Sequence, residues 1–422
     1  MTGVQTCALP ISIVGAGLAG LACARALGQA GIACTVFEAS DAVGGRVRTD
    51  AVDGFLVDRG FQVFLTAYPE ATAVLDYAAL DLRPFGPGAL VRHAGRFEHV
   101  GDPFREPASL LPTLFARVGT LADKVRVLGL RASVGRGTPA SLFQRPETTT
   151  DAALRTRYGF SERFIDRFFR PFLGGVLLDR RLGASSRAFE FYFRMFGEGQ
   201  AAVPARGMQA IPEQLADRLP AGTVRLNTPV AHVAPDGSSL RLASGETVAC
   251  RAVVVATDAA AVPGLVPDTT VPGWKGTVQI AWAADAAPSG ARLLMLDGDG
   301  RGPVNNAQVM SNVAPGYAPA GQALVTASIL GTPDADDAAL DAAARAQIQA
   351  WFGPQVGAWR TLTVHHVPHA LPDLPSLDPP ERPLHVRDAL FMTGDWLSNG
   401  SIDGALVAGR HAAEAVADAL AR

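Results

Sequence analysis

The run Ile13-Val14-Gly15-Ala16-Gly17-Leu18-Ala19-Gly20, followed by Glu38 at the end of a second apolar stretch, constrains this chain more than any other feature. Ile11–Val14 is short and mostly apolar, as a buried parallel strand is. Gly15 permits a tight turn, Gly17 lets the backbone approach a pyrophosphate, and Gly20 lets the next helix pack close to the sheet. Leu18, Leu21, Ala22, Ala26 and Leu27 recur at helical spacing, and Gly31 ends that helix after Ala30. Its N-terminus offers free N–H groups and the positive end of a dipole to phosphates. Thr35-Val36-Phe37 reads as the second strand, and Glu38 can accept hydrogen bonds from ribose hydroxyls. The glycine pattern alone also fits an Ala/Gly-rich buried helix. Strand, helix, strand and acid in register favour a dinucleotide site.

The next segment is more specific. Glu38-Ala39-Ser40-Asp41-Ala42-Val43-Gly44-Gly45-Arg46-Val47-Arg48-Thr49 resembles the glycine-glycine-arginine signature of the flavin amine oxidase superfamily. That group includes monoamine and polyamine oxidases, protoporphyrinogen oxidases and phytoene-type desaturases. The resemblance implies FAD as cofactor. Gly15, Gly17, Gly20, Gly44, Gly45 and Arg46 would hold the pyrophosphate and Glu38 the ribose, with Ala16, Leu18, Ala19 and Ala39 beside them in the cofactor site. Gly60 and Phe61 would lie along the flavin, and Val230 would hold the adenine edge through its backbone. Near the C-terminus, Leu390–Asp395 reads as a strand ending in Gly394-Asp395, which relatives use on the ribityl or phosphate side. Ile402-Asp403-Gly404-Ala405 then starts a helix running to about Leu420, whose N-terminus would stabilise a reduced, anionic flavin. Asp403 also fits a plain helix cap, and both roles can hold together.

The implied fold is α/β. A discontinuous Rossmann-like FAD-binding domain (12–64, 205–270 and 385–422) carries a mixed helix-plus-sheet substrate domain (65–204 and 271–384). Residues 65–205 read as mostly helical, and the stretch Phe160–Phe196 is rich in Phe. Five short strands are expected over Thr223–Ala256 and a helix over Asp336–Phe352. Pro368–Pro383 reads as a crossing linker.

Composition sets the outer limits. Formal net charge is −3, which gives no bulk attraction to nucleic acid. Four Cys without paired spacing suggest neither a disulfide framework nor a zinc site, and fit a reducing cytoplasm. His365 and His366 are adjacent on a strand and point to opposite faces, and Pro368 separates them from His369, so no metal is expected. Ala8–Ala24 is nearly uncharged but is broken by glycines and lacks a basic leader, so it reads as buried core. Residues 1–11 resemble a translated sequencing-adapter read and are set aside as a non-native tail, with Ile11 standing in for a native strand residue.

These sites specify flavin redox chemistry, not a substrate. One reading is dehydrogenation or desaturation of an apolar, isoprenoid-like molecule, because Gly394-Asp395-Trp396 resembles the ending of carotenoid- and squalene-type oxidoreductases. The Phe-rich segment would then form an apolar tunnel. Leu110–Val134 interleaves Leu, Phe and Val with Arg117, Lys124, Arg126 and Arg131, which reads first as an ordinary substrate-domain helix with a solvated Arg face and also fits a membrane-grazing helix pair. A second reading is amine or protoporphyrinogen oxidation. Amine oxidases of this group often place a lysine near the flavin, on a strand comparable to Thr277–Ala283. Here Gln279 or Ile280 takes that place and Lys275 falls early. A third is a non-catalytic flavin-binding protein. No residue is assigned a catalytic role, and no motif assigns an electron acceptor.

Overall fold

Strand Ile11–Val14 lies inside a six-stranded sheet and is buried along its whole length, so both faces of the sheet are covered there. Ile13 pairs in parallel with Val36 of Cys34–Phe37 on one side and with Val254 of Ala252–Val255 on the other. Val224–Arg225 extends one edge, Leu390–Met392 adds in parallel beyond Ala252–Val255, and His385–Arg387 closes the other edge antiparallel. One sheet therefore gathers strands from both ends and the middle of the chain. This computed structural model describes residues 9–379, 382 and 384–421. Ile11, set aside with the expected tail, is the first residue of the central strand, while residues 1–8 lie outside the described residues.

Helix Leu18–Gln29 packs against the C-terminal helix Ile402–Leu420. Their approach is so close that a Cβ on Gly409 would stand 2.2 Å from the Ala19 carbonyl oxygen. The expected short strands occur as Val224–Arg225, Val230–Val233, Ser239–Leu242, Thr247–Ala249 and Ala252–Val255, and the middle three form a separate antiparallel sheet.

A seven-stranded sheet stands across the molecule in the order Arg360–Pro372, Trp274–Ala284, Ala323–Leu330, Val304–Val309, Leu294–Asp297, Gly88–His93, Arg96–Gly101. One face is apolar: Val278, Ile280, Trp282, Val325, Ala327 and Ile329 pack under helix Asp337–Phe352. Asp336 caps that helix, accepting from the Ala339 N–H at 2.8 Å. The other face carries buried Thr277, Gln279, Asn306, Gln308, Thr326 and Ser328.

Residues 65–205 are mostly helical, as expected, but they also carry the hairpin Gly88–His93/Arg96–Gly101, which forms the edge of this sheet. Its alternation covers only Ala89 and Val91, too short a pattern to outweigh the helical segments around it. The Pro368–Pro383 linker is also partly strand, since Arg360–Pro372 runs into it as an edge strand, the position where proline is tolerated. Pro383 lies outside the described residues. Among the described residues no helix is long and apolar enough to cross a membrane.

Candidate active site

The glycine turn after the first strand is held by backbone geometry. The Gly15 N–H donates to the Phe37 carbonyl at 2.8 Å, and Gly15 has φ +106°, a value that favours glycine. Gly17 begins helix Leu18–Gln29 with no side-chain cap, which leaves first-turn N–H groups free for an acidic ligand. A Cβ built on Gly17 would meet nothing within 4 Å, so this glycine faces open space. Gly44 bridges to Gly17, and Gly45 lies against it. The paired glycines therefore supply the second wall of the same cradle.

Glu38, the residue expected at a ribose, is also bound by the protein itself. Its Oε2 accepts the Ala16 N–H at 2.7 Å, and its Oε1 accepts from the Ser40 N–H and hydroxyl at 2.9 and 2.7 Å. One carboxylate thus ties the glycine turn to the segment leading to Gly44. Arg46 donates to Asp395 Oδ1 at 2.6 Å and to the Ala370 carbonyl at 3.0 Å. This pair joins residues 349 positions apart in the chain. Gln62 holds the loop from below, donating to the Arg46 and Arg59 carbonyls at 3.0 and 2.9 Å.

Among the predicted cofactor residues, all but Ala16, Gly20, Asp403 and Gly404 line one continuous cavity of about 1970 Å³. Ala16 is buried beneath the turn. Gly20 is a packing residue, with its would-be Cβ 2.0 Å from the Gly15 oxygen. Asp403 turns away and caps helix Pro69–Val74, accepting from the Glu70 and Ala71 N–H groups at 2.8 and 3.1 Å. Burial pushes its carboxyl up to about 6. The Gly404 N–H donates to the capping Ser401 hydroxyl at 2.9 Å, while Ser401, Ile402 and Ala405 face the cavity. Trp396 is buried in the apolar cluster around Val14 and Val253 and is not a cavity wall. Aromatic walls come instead from Phe61, Tyr68, Phe85, Tyr192, Phe193 and Phe196.

The seven-stranded sheet forms the opposite wall. Thr277 is the residue of strand Trp274–Ala284 that lines the cavity. Gln279 stands behind it and accepts the Gly60 N–H at 3.0 Å, while Ile280 packs in the apolar face. Lys275 pairs with Asp179 at 3.4 Å and Asp373 at 3.2 Å, and does not line the cavity. The sequence places Gln279 or Ile280 where amine oxidases of this group hold a lysine, but it does not show the bond to Gly60, 219 residues away. His365 and His366 diverge to Asp50 and Asp337, and among the described residues no cluster of three or more His, Cys, Asp or Glu is placed to hold a metal.

The cradle fits FAD on its own features. It is open at Gly17, it offers uncapped N–H groups, and on the same wall the buried Thr257 hydroxyl has no partner among the described residues. When bound, FAD supplies a two-electron acceptor. Cradle, paired loops and C-terminal helix together define a FAD-dependent oxidoreductase of α/β fold. The chain belongs to the flavin containing amine oxidoreductase family, whose model it matches over residues 18–417. It is 31% identical over 170 residues to coproporphyrinogen III oxidase of Propionibacterium freudenreichii subsp. freudenreichii, a match covering 39% of this chain and 31% of that protein. The matched part thus spans about a third of such curated relatives. An oxidoreductase from Methanosarcina mazei shares the fold with a TM-score of 0.71 at 17% identity, over 96% of this chain and 100% of that one. Cyclohexylamine oxidase from Brevibacterium oxydans does so with a TM-score of 0.67 at 20% identity, over 98% of this chain and 100% of its own.

Proposed function

We propose that this enzyme dehydrogenates or desaturates a large apolar molecule of isoprenoid-like character. The observation that carries the reading is the cavity beyond the cradle. It continues between Phe85, Phe168, Phe172, Val176, Phe193 and Phe196, and ends in a rim of Leu and Val side chains. Such walls bind a long apolar body by removing it from water and offer little to a compact cation. Of the carboxylates on the walls away from the cradle, Asp102 is paired with Arg131 at 2.9 Å and Glu198 with Arg194 at 2.8 Å. Neither is left to meet an ammonium group, and Thr277 stands where Lys275 does not reach.

Desaturation takes a hydride from one carbon, for which bound FAD would be the acceptor, and a proton from its neighbour, which leaves to water at the open cavity mouth, so that a double bond remains. The chain's share in this is positioning of the apolar body. Tyr192 donates to the Asn399 carbonyl at 2.8 Å and its phenol is pushed up by burial, so it serves as a fixed wall rather than a base.

A porphyrinogen oxidase reading has its own support. Arg105, Lys124 and Arg292 sit on the cavity wall toward its rim, where carboxylates of a macrocycle could meet them, and the coproporphyrinogen III oxidase named above is a relative. Anaerobic holoenzyme challenged in turn with polyisoprenoids, porphyrinogens and amines separates the readings. Bleaching of the flavin band by a polyisoprenoid is expected. Bleaching by porphyrinogen alone would transfer the assignment to the second reading, and bleaching by amines alone would overturn both.

A further inference from the structure

Large apolar side chains are exposed in one place above all. Of the ten exposed among the described residues, eight fall between Phe104 and Leu128. They belong to a loop and two helices, Leu110–Phe115 and Leu121–Val134. Phe115 is 75% exposed, Phe104 66% and Leu111 62%. Scattered exposed hydrophobics are ordinary, but a contiguous group is not. The helices are not loosely held. A capping box at Thr120 and Asp123 starts the second, and Lys124 Nζ donates to the Leu114 and Ala116 carbonyls, tying the second helix to the first.

Charge on the same segment indicates what covers it. Residues 104–136 hold six cations against two carboxylates, Glu106 and Asp123, a net charge of +4 in a chain of net −3. Asp123 is turned inward, accepting from Thr120 and Ser161, and Asp102 just before the segment pairs with Arg131 at 2.9 Å, so the segment keeps a net positive surface. A second copy of this chain would set +4 against +4. An anionic lipid surface offers both complements, negative headgroups for the cations and hydrocarbon for the apolar tips. The patch is also the rim of the cavity, since Phe104, Leu110, Leu114, Leu121, Val125 and Leu128 line its mouth.

We propose that the Phe104–Arg136 segment seats the enzyme on an anionic bilayer, with the cavity mouth opening into the lipid. Docking stands on the patch and its charge; only the idea that substrate arrives by this route rests on the apolar-substrate reading. The test is flotation of FAD-loaded enzyme with phosphatidylcholine vesicles containing about a third phosphatidylglycerol, without any substrate. The wild type should float with these vesicles and bind roughly tenfold less to pure phosphatidylcholine or at about 0.5 M salt. Leu111→Asp/Phe115→Asp, which keeps the flavin band because both side chains point to solvent, should stay in the soluble fraction. Arg117→Gln/Arg126→Gln should lose the preference for phosphatidylglycerol. Wild-type protein that ignores anionic vesicles would overturn the proposal. So would apolar-patch variants that float as well as wild type, or a dimer in solution that the double variant dissolves. Vesicle binding and flavin bleaching are independent readouts, so docking and the substrate reading can each fail alone.

Discussion

Single carboxylates do unlike work here, and burial with partners decides which. Glu38 is shared between the Ala16 N–H, Ser40 and the cavity, so Glu38→Ala removes a ribose acceptor and also releases the glycine turn. FAD affinity should drop at least about tenfold, or ~1.4 kcal/mol, with the fold retained. The ratio of flavin to protein absorbance after dialysis measures it, and a fully yellow Glu38→Ala protein would contradict the assignment. Asp58 is buried with no cation paired to it among the described residues, accepting from Thr49 at 2.6 Å, the Met208 N–H at 2.9 Å and Tyr317 at 3.0 Å. Burial raises its carboxyl to about 6, and the hydrogen bonds offset this only partly. Between the unfolded value of about 4 and the folded value, the folded protein keeps a proton that the unfolded chain has lost. Stability from this group is therefore present at low pH, falls as pH rises through that window and stays lost above it. Asp58→Asn keeps an acceptor for Thr49 and Met208 and removes the ionisation. Relative to wild type it should gain about 2 kcal/mol at about pH 8 and little at about pH 4, read from urea midpoints.

At the scale of elements, what the sequence revealed followed pattern length. The first strand, the Leu18–Gln29 helix and the C-terminal helix carry glycines at fixed offsets or long helical periods, and their observed bounds lie within about two residues of those expected. The Gly88–Gly101 hairpin did not show, because its sheet neighbour Leu294–Asp297 lies some 200 residues away and its own alternation is brief. Nor did Gly409, whose need for glycine exists only where two distant helices cross. Gly409→Ala would press a methyl group to 2.2 Å from backbone, so the helices must part. A loss of about 1–3 kcal/mol in unfolding free energy, read from urea melts, is expected, with weaker FAD retention because the other end of the same helix borders the cavity. The polar sheet face was not read from the sequence, although Thr277 and Gln279 alternate there with Val278 and Ile280. Asn306 and Ser328 extend it along the cavity wall, with an Asn306 Nδ2 to Ser328 Oγ distance of only 3.4 Å, so their donors are weakly used. Asn306→Leu/Ser328→Val should slow bleaching by substrates bearing a hydroxyl or carbonyl roughly tenfold while sparing pure hydrocarbons. Equal slowing of both would assign these residues to packing.

For the whole molecule, the cofactor site is where the chain's ends are joined. The first strand and helix, the Gly44-Gly45-Arg46 loop, the turn at Thr257 and the segment Gly394–Ala405 meet around one cavity, and Arg46–Asp395 is their side-chain link across it. A ligand bound to all of them stabilises the folded state by mass action, about 2.7 kcal/mol at a hundredfold excess over Kd. FAD-stripped protein should therefore melt lower and recover on adding FAD. ADP-ribose can engage the assigned Gly17 and Glu38 end but has no isoalloxazine ring to reach Ile402 and Ala405. It should restore part of the melting temperature and leave the C-terminal helix open to limited proteolysis, whereas FAD should close both. If ADP-ribose protected that helix as fully as FAD, the helix would be held by Gly409 packing alone, and its N-terminus would have no part in the flavin end of the site.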